Sequence, residues 1–292
     1  MKRMHSLTRV AIPSALLLVG IGLAPTPVQA LGAVAPPVTQ VTIDDAHMIT
    51  MNTTLTPGLN TFHITSTKSA GFQLVVLKPG YTHEDVANDA NAAFNDNNMA
   101  ALRRFQKKVT LLGGVSTHPG ADGTMSLDLP ADTVGQLAAV DTAPRRVRPG
   151  KIVDLTLSGA AVTGTLPYDA TLRTKGDTTW ARHPASIPSS GTLRFVNGAT
   201  QNHFIVMMKL KKGKTYRDWK VYVRKVVNGK NPRPPVKFNV GMESGVLSPS
   251  HEFTFAYALP RGNYVLTCFW PDASMGGIPH AFMGMGRPVR VV

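Results

Sequence analysis

The feature that most constrains the fold of this chain is an internal similarity between two of its segments. Residues 58–86 align without a gap with residues 191–219, at a constant offset of 133 and with eight identical positions. Each copy has the pattern of a strand, a polar turn, an apolar strand and a glycine turn, followed by a threonine placed to cap a helix. The stretches Thr124–Ala131 and Phe253–Arg261 also resemble each other. The sequence therefore predicts an internal duplication.

The two copies define two predicted modules, residues 38–162 and 163–292. Both are rich in short strand patterns and in Gly/Pro turns, which is typical of β-sandwiches. Helical periodicity is confined to two inserts, Glu84–Lys108 and Asp218–Val227, and the run Asn95–Asn98 divides the first insert into two helices. The predicted fold class is mainly β, with two tandem antiparallel β-sandwiches and short helical insertions.

The amino terminus has the pattern of a cleavable secretory signal peptide over residues 1–30. Basic residues precede an uncharged apolar stretch at 10–24, and Val28-Gln29-Ala30 is a small-residue cleavage pattern. About 15 apolar residues fall short of the roughly 20 that are needed to span a bilayer. We therefore expect a signal peptide, a linker over residues 31–37 and a secreted, extracytoplasmic mature protein without a transmembrane span.

Positive charge dominates the composition. The formal net charge is +14, and the predicted signal peptide carries three units of it, which leaves +11 (14 − 3) for the mature chain. Eleven Lys and Arg residues lie between Lys209 and Lys237, with Asp218 as the one acidic residue. Such a stretch predicts either a docking face for an anionic partner or an ordinary solvated helix face. No recognition motif accompanies the charge, so a nucleic-acid partner is not expected.

Residues that can carry chemistry gather in the carboxyl-terminal part of the chain. Cys268 is the single cysteine, so no internal disulfide can form. It ends a predicted strand, His203 stands where a turn meets a strand, and His280, Met283 and Met285 follow in the last loop. A thiolate, two imidazoles and a thioether form a ligand set that suits copper. The alternatives are a buried core thiol, histidines bonded to backbone carbonyls, and methionines that pack the core.

The order of these residues resembles the cupredoxins, the plastocyanin-like family of secreted or periplasmic copper proteins. The matching segments are Phe195–Asn197 ahead of His203, the strand Pro260–Cys268, and the signature Cys268-Phe-Trp-Pro-Asp272, Pro279-His280 and Gly284-Met285. The resemblance implies a cupredoxin-like fold and the copper ligands His203, Cys268, His280 and Met285, with Met283 as a weaker candidate for the axial position.

The resemblance has two departures. Eleven residues separate Cys268 from His280, where typical blue-copper members have only a few, although Gly276 and Gly277 would let this loop fold back. The first module has no ligands, because Ala70 stands opposite His203 and the counterpart of the cysteine strand contains no cysteine. We therefore expect residues 38–162 to be a degenerate cupredoxin-like module with a structural or docking role.

Two functions follow as hypotheses. The resemblance implies one copper ion in the second module, used for electron transfer or copper handling with a redox or copper-handling partner protein. In that case His280, if it lay at the surface, would be the electron exit, and residues 209–237 would face the partner. The alternative is a metal-free secreted binding module that holds an anionic partner through its loops and basic face. Neither Gly-x-Ser-x-Gly nor His-Glu-x-x-His occurs, so the sequence predicts no enzyme.

Overall fold

Short strands joined by glycine-containing turns make up most of the chain in the computed structural model. It describes residues 36–292. The predicted signal peptide over residues 1–30, and the predicted linker except for its last two residues, lie outside the described residues.

The first half contains nine strands and two helices. They are β1 (Val38–Ile43), β2 (Ile49–Met51), β3 (Thr54–Leu55), β4 (Gly58–Ser66), β5 (Ala70–Leu77), α1 (His83–Asn95), α2 (Met99–Lys108), β6 (Val109–Thr117), β7 (Gly123–Leu129), β8 (Gln136–Asp141) and β9 (Val153–Leu157).

The second half contains eleven strands and one helix. They are β10 (Ala170–Gly176), β11 (Thr179–Trp180), β12 (Ser186–Ile187), β13 (Ser190–Asn197), β14 (Val206–Leu210), α3 (Tyr216–Val227), β15 (Val236–Glu243), β16 (Glu252–Ala258), β17 (Gly262–Thr267), β18 (Pro271–Asp272), β19 (Ile278–Pro279) and β20 (Gly286–Val291). Short 3₁₀ turns lie at Pro149–Lys151, Ala273–Met275 and His280–Met283.

One eight-stranded sheet runs through both halves, in the order β11-β10-β13-β16-β7-β4-β1-β2. The halves meet at the antiparallel pair β16–β7, where Thr254 is paired with Ser126 and Phe255 with Met125. A five-stranded sheet in each half, β3-β9-β8-β5-β6 and β12-β20-β17-β14-β15, completes the two sandwiches. The prediction of a mainly β, cupredoxin-like fold with short helices is confirmed. The module boundary at 162/163 stays a prediction.

The sheets are mixed rather than purely antiparallel. Four strand pairs are parallel: β1–β4, β10–β13, β3–β9 and β12–β20. The parallel pairs β1–β4 and β10–β13 occupy corresponding places in the two halves, and α1 and α3 each follow the second apolar strand of the aligned segments. The common order of elements agrees with the predicted duplication, and the duplication itself stays a prediction.

Both inserts begin with a capping box at the predicted threonine. Thr82 accepts a hydrogen bond from the Asp85 amide, and the Asp85 side chain accepts one from the Thr82 amide. Thr215 and Asp218 repeat this arrangement at the start of α3. Asn98 accepts hydrogen bonds from the Ala100 and Ala101 amides in the first turn of α2, so the asparagine-rich run separates α1 from α2 as predicted.

A segment after β15 fastens the second half to the first. The Gly245 amide donates to the Gly114 carbonyl at 2.6 Å. Gln73 on β5 is 1% exposed, and its side-chain amide donates to the Val246 carbonyl at 3.0 Å and accepts from the Val246 amide at 2.7 Å. These bonds help to explain why β5 is buried along its whole length. No helix in the described part of the chain is long and apolar enough to cross a membrane.

Candidate metal centre

Two neighbouring strands of the second half bring His203 and Cys268 together. Cys268 is the residue after β17, which pairs with β14. His203 lies three residues before β14, and its backbone exchanges two hydrogen bonds with Leu247, at 3.0 and 2.7 Å. These backbone bonds fix the position of His203 independently of its side chain.

The long loop after Cys268 folds back as a small hairpin. Strands β18 and β19 pair in an antiparallel way, and Gly276 and Gly277 between them have φ values of 69° and 83°. Glycine takes this left-handed conformation without strain. The His280 amide then donates to the Trp270 carbonyl at 3.0 Å, and the next amide donates to the Cys268 carbonyl at 2.7 Å. The eleven-residue interval therefore does not keep His280 away from the cysteine.

The structure brings the three predicted ligands His203, Cys268 and His280 to one point. One ligand atom from each lies within 4.8 Å of the other two, and all three side chains are buried. The two Nδ1 atoms are 3.2 Å apart. Two nitrogens at this separation, each about 2.0–2.1 Å from a shared metal, subtend an angle of roughly 100–105° there. That spacing fits a single ion, and the two-histidine, one-cysteine donor set fits copper.

The sulfur of Cys268 lies in a pocket of backbone donors. The amides of Phe204 and Trp270 approach Sγ at 3.5 and 3.4 Å. Burial raises the pKa of the thiol to about 12, and the two amide hydrogen bonds partly oppose this. The metal-free side chain is therefore a thiol at neutral pH, and a bound metal has to displace its proton. Once the proton is gone, the two amides stabilise the sulfur's negative charge.

Both imidazoles are held neutral, as metal ligation requires. Burial, and secondarily the proximity of His280, lowers the pKa of His203 to about 3. Burial also lowers the pKa of His280, against the opposing charges of Asp272 and Asp177. Among the described residues, Nε2 of His203 has no hydrogen-bond partner. Nδ1 of His203 is the nitrogen that faces His280, 3.2 Å from its Nδ1.

Two polar residues beside His280 were not singled out in the sequence as functional. Nε2 of His280 is 3.1 Å from the Gln201 side-chain oxygen, and Gln201 donates to Asp272 Oδ2 at 2.9 Å. Asp272 belongs to the quoted Cys-Phe-Trp-Pro-Asp signature, but Gln201 has no local sequence signal. His280 is 0% exposed, so the expectation that it reaches the surface as an electron exit is wrong. The hairpin returns it to the interior instead.

The methionines differ in position. Met285 is 0% exposed, its amide donates to the His280 carbonyl at 3.0 Å, and its own carbonyl accepts from Thr267 Oγ1. Met283 is half-buried and lines a groove of about 350 Å³ beside α3. Met285 is the more buried of the two and is joined to His280 through its backbone, and its role as the axial ligand stays a prediction.

Residues of the first half pack against the outside of the loop between Cys268 and His280. The Arg103 guanidinium on α2 donates to the Ala273 carbonyl at 2.9 Å, and the rings of Phe94 and Trp270 meet edge to face at 5.5 Å. A methyl group added at Gly277 would lie 2.9 Å from atoms of Asn97 and Met99. The helical insert of the module without ligands therefore covers the hairpin between Cys268 and His280.

Comparison with known proteins adds a set of distant structural matches. The sequence matches no protein-family profile and no curated protein. Reduced auracyanin from Roseiflexus castenholzii is 21% identical, with 42% of this chain and 94% of auracyanin covered and a TM-score of 0.28. Auracyanin A, described as a "blue" copper protein from Chloroflexus aurantiacus, is 14% identical, with coverages of 42% and 96% and a TM-score of 0.27. At such values the matches carry no argument, and the description of the fold rests on the strands and sheets of the structure itself.

A further distant match is a reductase. A copper nitrite reductase from Nitrosomonas europaea is 11% identical, with 87% of this chain and 93% of the reductase covered and a TM-score of 0.23. The expectation that the chain is not an enzyme is wrong as an exclusion, because it was drawn only from the absence of two motifs. The absent motifs are those of hydrolases and zinc proteases, and their absence says nothing about copper-dependent redox catalysis. The chain has a cupredoxin-like fold, and its second half gathers a buried His203–Cys268–His280 group that fits copper.

Proposed function

We propose that this chain is a secreted cupredoxin-like protein that binds one copper ion in its second half, for electron transfer or copper handling. The ligands are His203, Cys268 and His280, with Met285 in the axial position. The observation that carries the proposal is the 3.2 Å approach of the two Nδ1 atoms beside the cysteine sulfur, in a fully buried site. Copper, when bound, supplies one-electron redox chemistry.

The chain's own groups prepare this site before any metal enters. The backbone bonds of His203 with Leu247 and of His280 with Trp270 hold the two imidazoles at a spacing that one ion can bridge. The Phe204 and Trp270 amides stabilise the thiolate that forms when a metal displaces the thiol proton. Burial of all three side chains excludes water, which limits reorganisation around the site when its charge changes.

The experiment that tests the proposal is a titration of the purified protein with Cu(II), followed by visible absorption. We expect an intense thiolate-to-copper band that saturates at one equivalent and is absent in Cys268→Ser. His118→Ala is the matched control, because His118 is exposed at a turn in the first half, and it should leave the band unchanged. No band with Cu(II), together with no tight binding of Cu(I) after reduction, would overturn the proposal.

The axial role is tested separately by a pair of leucine variants. Leucine conserves the volume of methionine, so the fold should tolerate both changes at a cost below about 1.5 kcal/mol. Met285→Leu should change the reduction potential of the copper-loaded protein, because the axial ligand tunes that potential. Met283→Leu is the control and should leave it in place. Equal effects, or an effect of Met283→Leu alone, would assign the axial position differently.

A second candidate function uses the basic stretch between Lys209 and Lys237 to hold an anionic partner without a metal. Ten of its eleven basic side chains are exposed, and Lys214 contacts Asp218 at 3.9 Å as an ion pair within the stretch. Charge reversal on α3, Lys220→Glu with Arg224→Glu, should weaken binding to vesicles of anionic phospholipid at low salt. Lys175→Glu, on strand β10, is the control. Unchanged binding would remove this candidate.

A further inference from the structure

Hydrogen bonds link Asp272 to Gln201 and Gln201 to His280. The protonation state of Asp272 determines which group donates and which accepts in each of them. Asp272 Oδ1 accepts from the Ser274 amide at 2.7 Å, the Ser274 hydroxyl at 2.6 Å and the Met275 amide at 3.2 Å. Burial alone would raise the pKa of Asp272, but hydrogen bonds from Ser274 and Gln201 outweigh it and hold the pKa below its usual value. Asp272 is therefore a carboxylate, which only accepts hydrogen bonds.

The carboxylate determines how the Gln201 amide is oriented. The side-chain atom of Gln201 that lies 2.9 Å from Asp272 Oδ2 must be the donating NH₂ group. The amide oxygen of Gln201 consequently faces Nε2 of His280, 3.1 Å away. An amide oxygen only accepts, so Nε2 of His280 has to carry the proton.

A neutral imidazole with its proton on Nε2 has a bare lone pair on Nδ1. Nδ1 of His280 is the atom that lies 3.2 Å from Nδ1 of His203, within the group that contains Cys268. We propose that Gln201 and Asp272 are positioning residues that hold His280 in the Nε2–H tautomer and so present its Nδ1 lone pair to a metal. This inference rests on the proposed copper function, although its main test does not require copper.

The first test is ¹⁵N NMR of the metal-free, full-length protein labelled at histidine, because protonated and bare ring nitrogens differ widely in ¹⁵N shift. In the wild-type protein His280 should be Nε2–H. Gln201→Leu removes the acceptor and should give a mixture of the two tautomers. A wild-type His280 with its proton on Nδ1 would overturn the inference whatever the variants do, so the test stands even if Gln201→Leu fails to fold.

Asp272→Asn should change the tautomer of His280 more specifically than Gln201→Leu, which only removes the acceptor. The asparagine oxygen stays on the three donors at Ser274 and Met275, which leaves an NH₂ group facing Gln201. Gln201 then has to turn its oxygen toward residue 272 and its NH₂ group toward His280. Nε2 of His280 becomes an acceptor, and the proton moves to Nδ1. We expect this variant to shift His280 toward the Nδ1–H tautomer, and an unchanged tautomer in both variants would overturn the inference.

The second readout is metal affinity. In Gln201→Leu and Asp272→Asn the lone pair on Nδ1 is less available, so copper affinity should fall about 10- to 100-fold, the usual effect of losing a partner of a ligating histidine. Gln40→Leu, at an exposed position in β1, is the control and should bind as the wild type does. Failure of the wild type to bind copper would overturn the proposed function, while the tautomer measured by NMR would still decide the positioning role. Wild-type affinity in both variants would overturn the positioning role alone.

Discussion

Replacing Gln73 with leucine should weaken the whole protein measurably, because this buried side chain joins the two halves. Its amide oxygen accepts from the Val246 amide at 2.7 Å, and the two hydrogens of its NH₂ group are shared among the carbonyls of Leu74, Gly113 and Val246 at 2.9–3.0 Å. Leaving the Val246 amide without a partner costs about 1–3 kcal/mol, and each lost bond to a carbonyl costs about 1 kcal/mol. Burying the leucine side chain returns about 1 kcal/mol. The NH₂ group has only two hydrogens to share among the three carbonyls, so these lost bonds cost about 2 kcal/mol together. We therefore expect the free energy of unfolding to fall by about 2–4 kcal/mol.

The assay is urea unfolding followed by tryptophan fluorescence and circular dichroism. For a slope of about 2–3 kcal/mol/M, the expected loss moves the midpoint down by roughly 1 M. The shared eight-stranded sheet predicts that both probes report one transition. Gln40→Leu is again the control, with a change within about 0.5 kcal/mol, as for surface positions in general. A change in Gln73→Leu as small as that of the control would refute the view that this side chain joins the halves.

Three other outcomes follow from individual contacts. Gly114→Ala should lower the thermal midpoint strongly or prevent folding, because the added Cβ would overlap a backbone carbonyl of β5, whereas Gly150→Ala meets no atom within 4 Å and should be neutral. The pKa of Tyr81 is raised, chiefly by burial and then by its bond to Asp89. Above pH 10 the unfolded chain therefore loses the phenol proton before the folded chain does. The free energy of unfolding of the wild type relative to Tyr81→Phe should consequently fall as the pH rises from about 10 to 11. Arg103→Ala should speed copper dissociation a few-fold with a stability loss of about 1 kcal/mol, seen by chelator competition; an unchanged rate would mean that α2 does not hold the loop.

Local signals in the sequence predicted much of the secondary structure and the three side chains that the structure brings together at the candidate metal centre. Thr82 and Thr215 marked the helix starts, because a capping box is complete within four residues and needs no tertiary context. Cys268 and His280 were recognisable because the residue types that copper requires stand at the end of a strand and in the loop that follows it. The position of His203 could be anticipated from the preceding turn.

The rest depends on contacts that no local pattern specifies. The strand pair β16–β7 brings together Phe255 and Met125, which are far apart in sequence. The pattern of an amphipathic strand does not specify which other strand it pairs with. The role of Gln201 depends on Asp272, 71 residues later, and a lone glutamine carries no signature. The burial of His280 was missed because a loop rich in glycine and proline is usually exposed. Here the paired strands β18 and β19 and the helical insert turn it inward.

Because α1 and α2 cover the hairpin, the order of synthesis bears on when this part of the protein folds. During synthesis Arg103 on α2 is added 170 residues before Ala273, the residue whose carbonyl it contacts. The loop between Cys268 and His280 is thus synthesised after the helices that cover it. Contacts of such long sequence separation close slowly. The cover over the site proposed for copper is therefore completed late in folding.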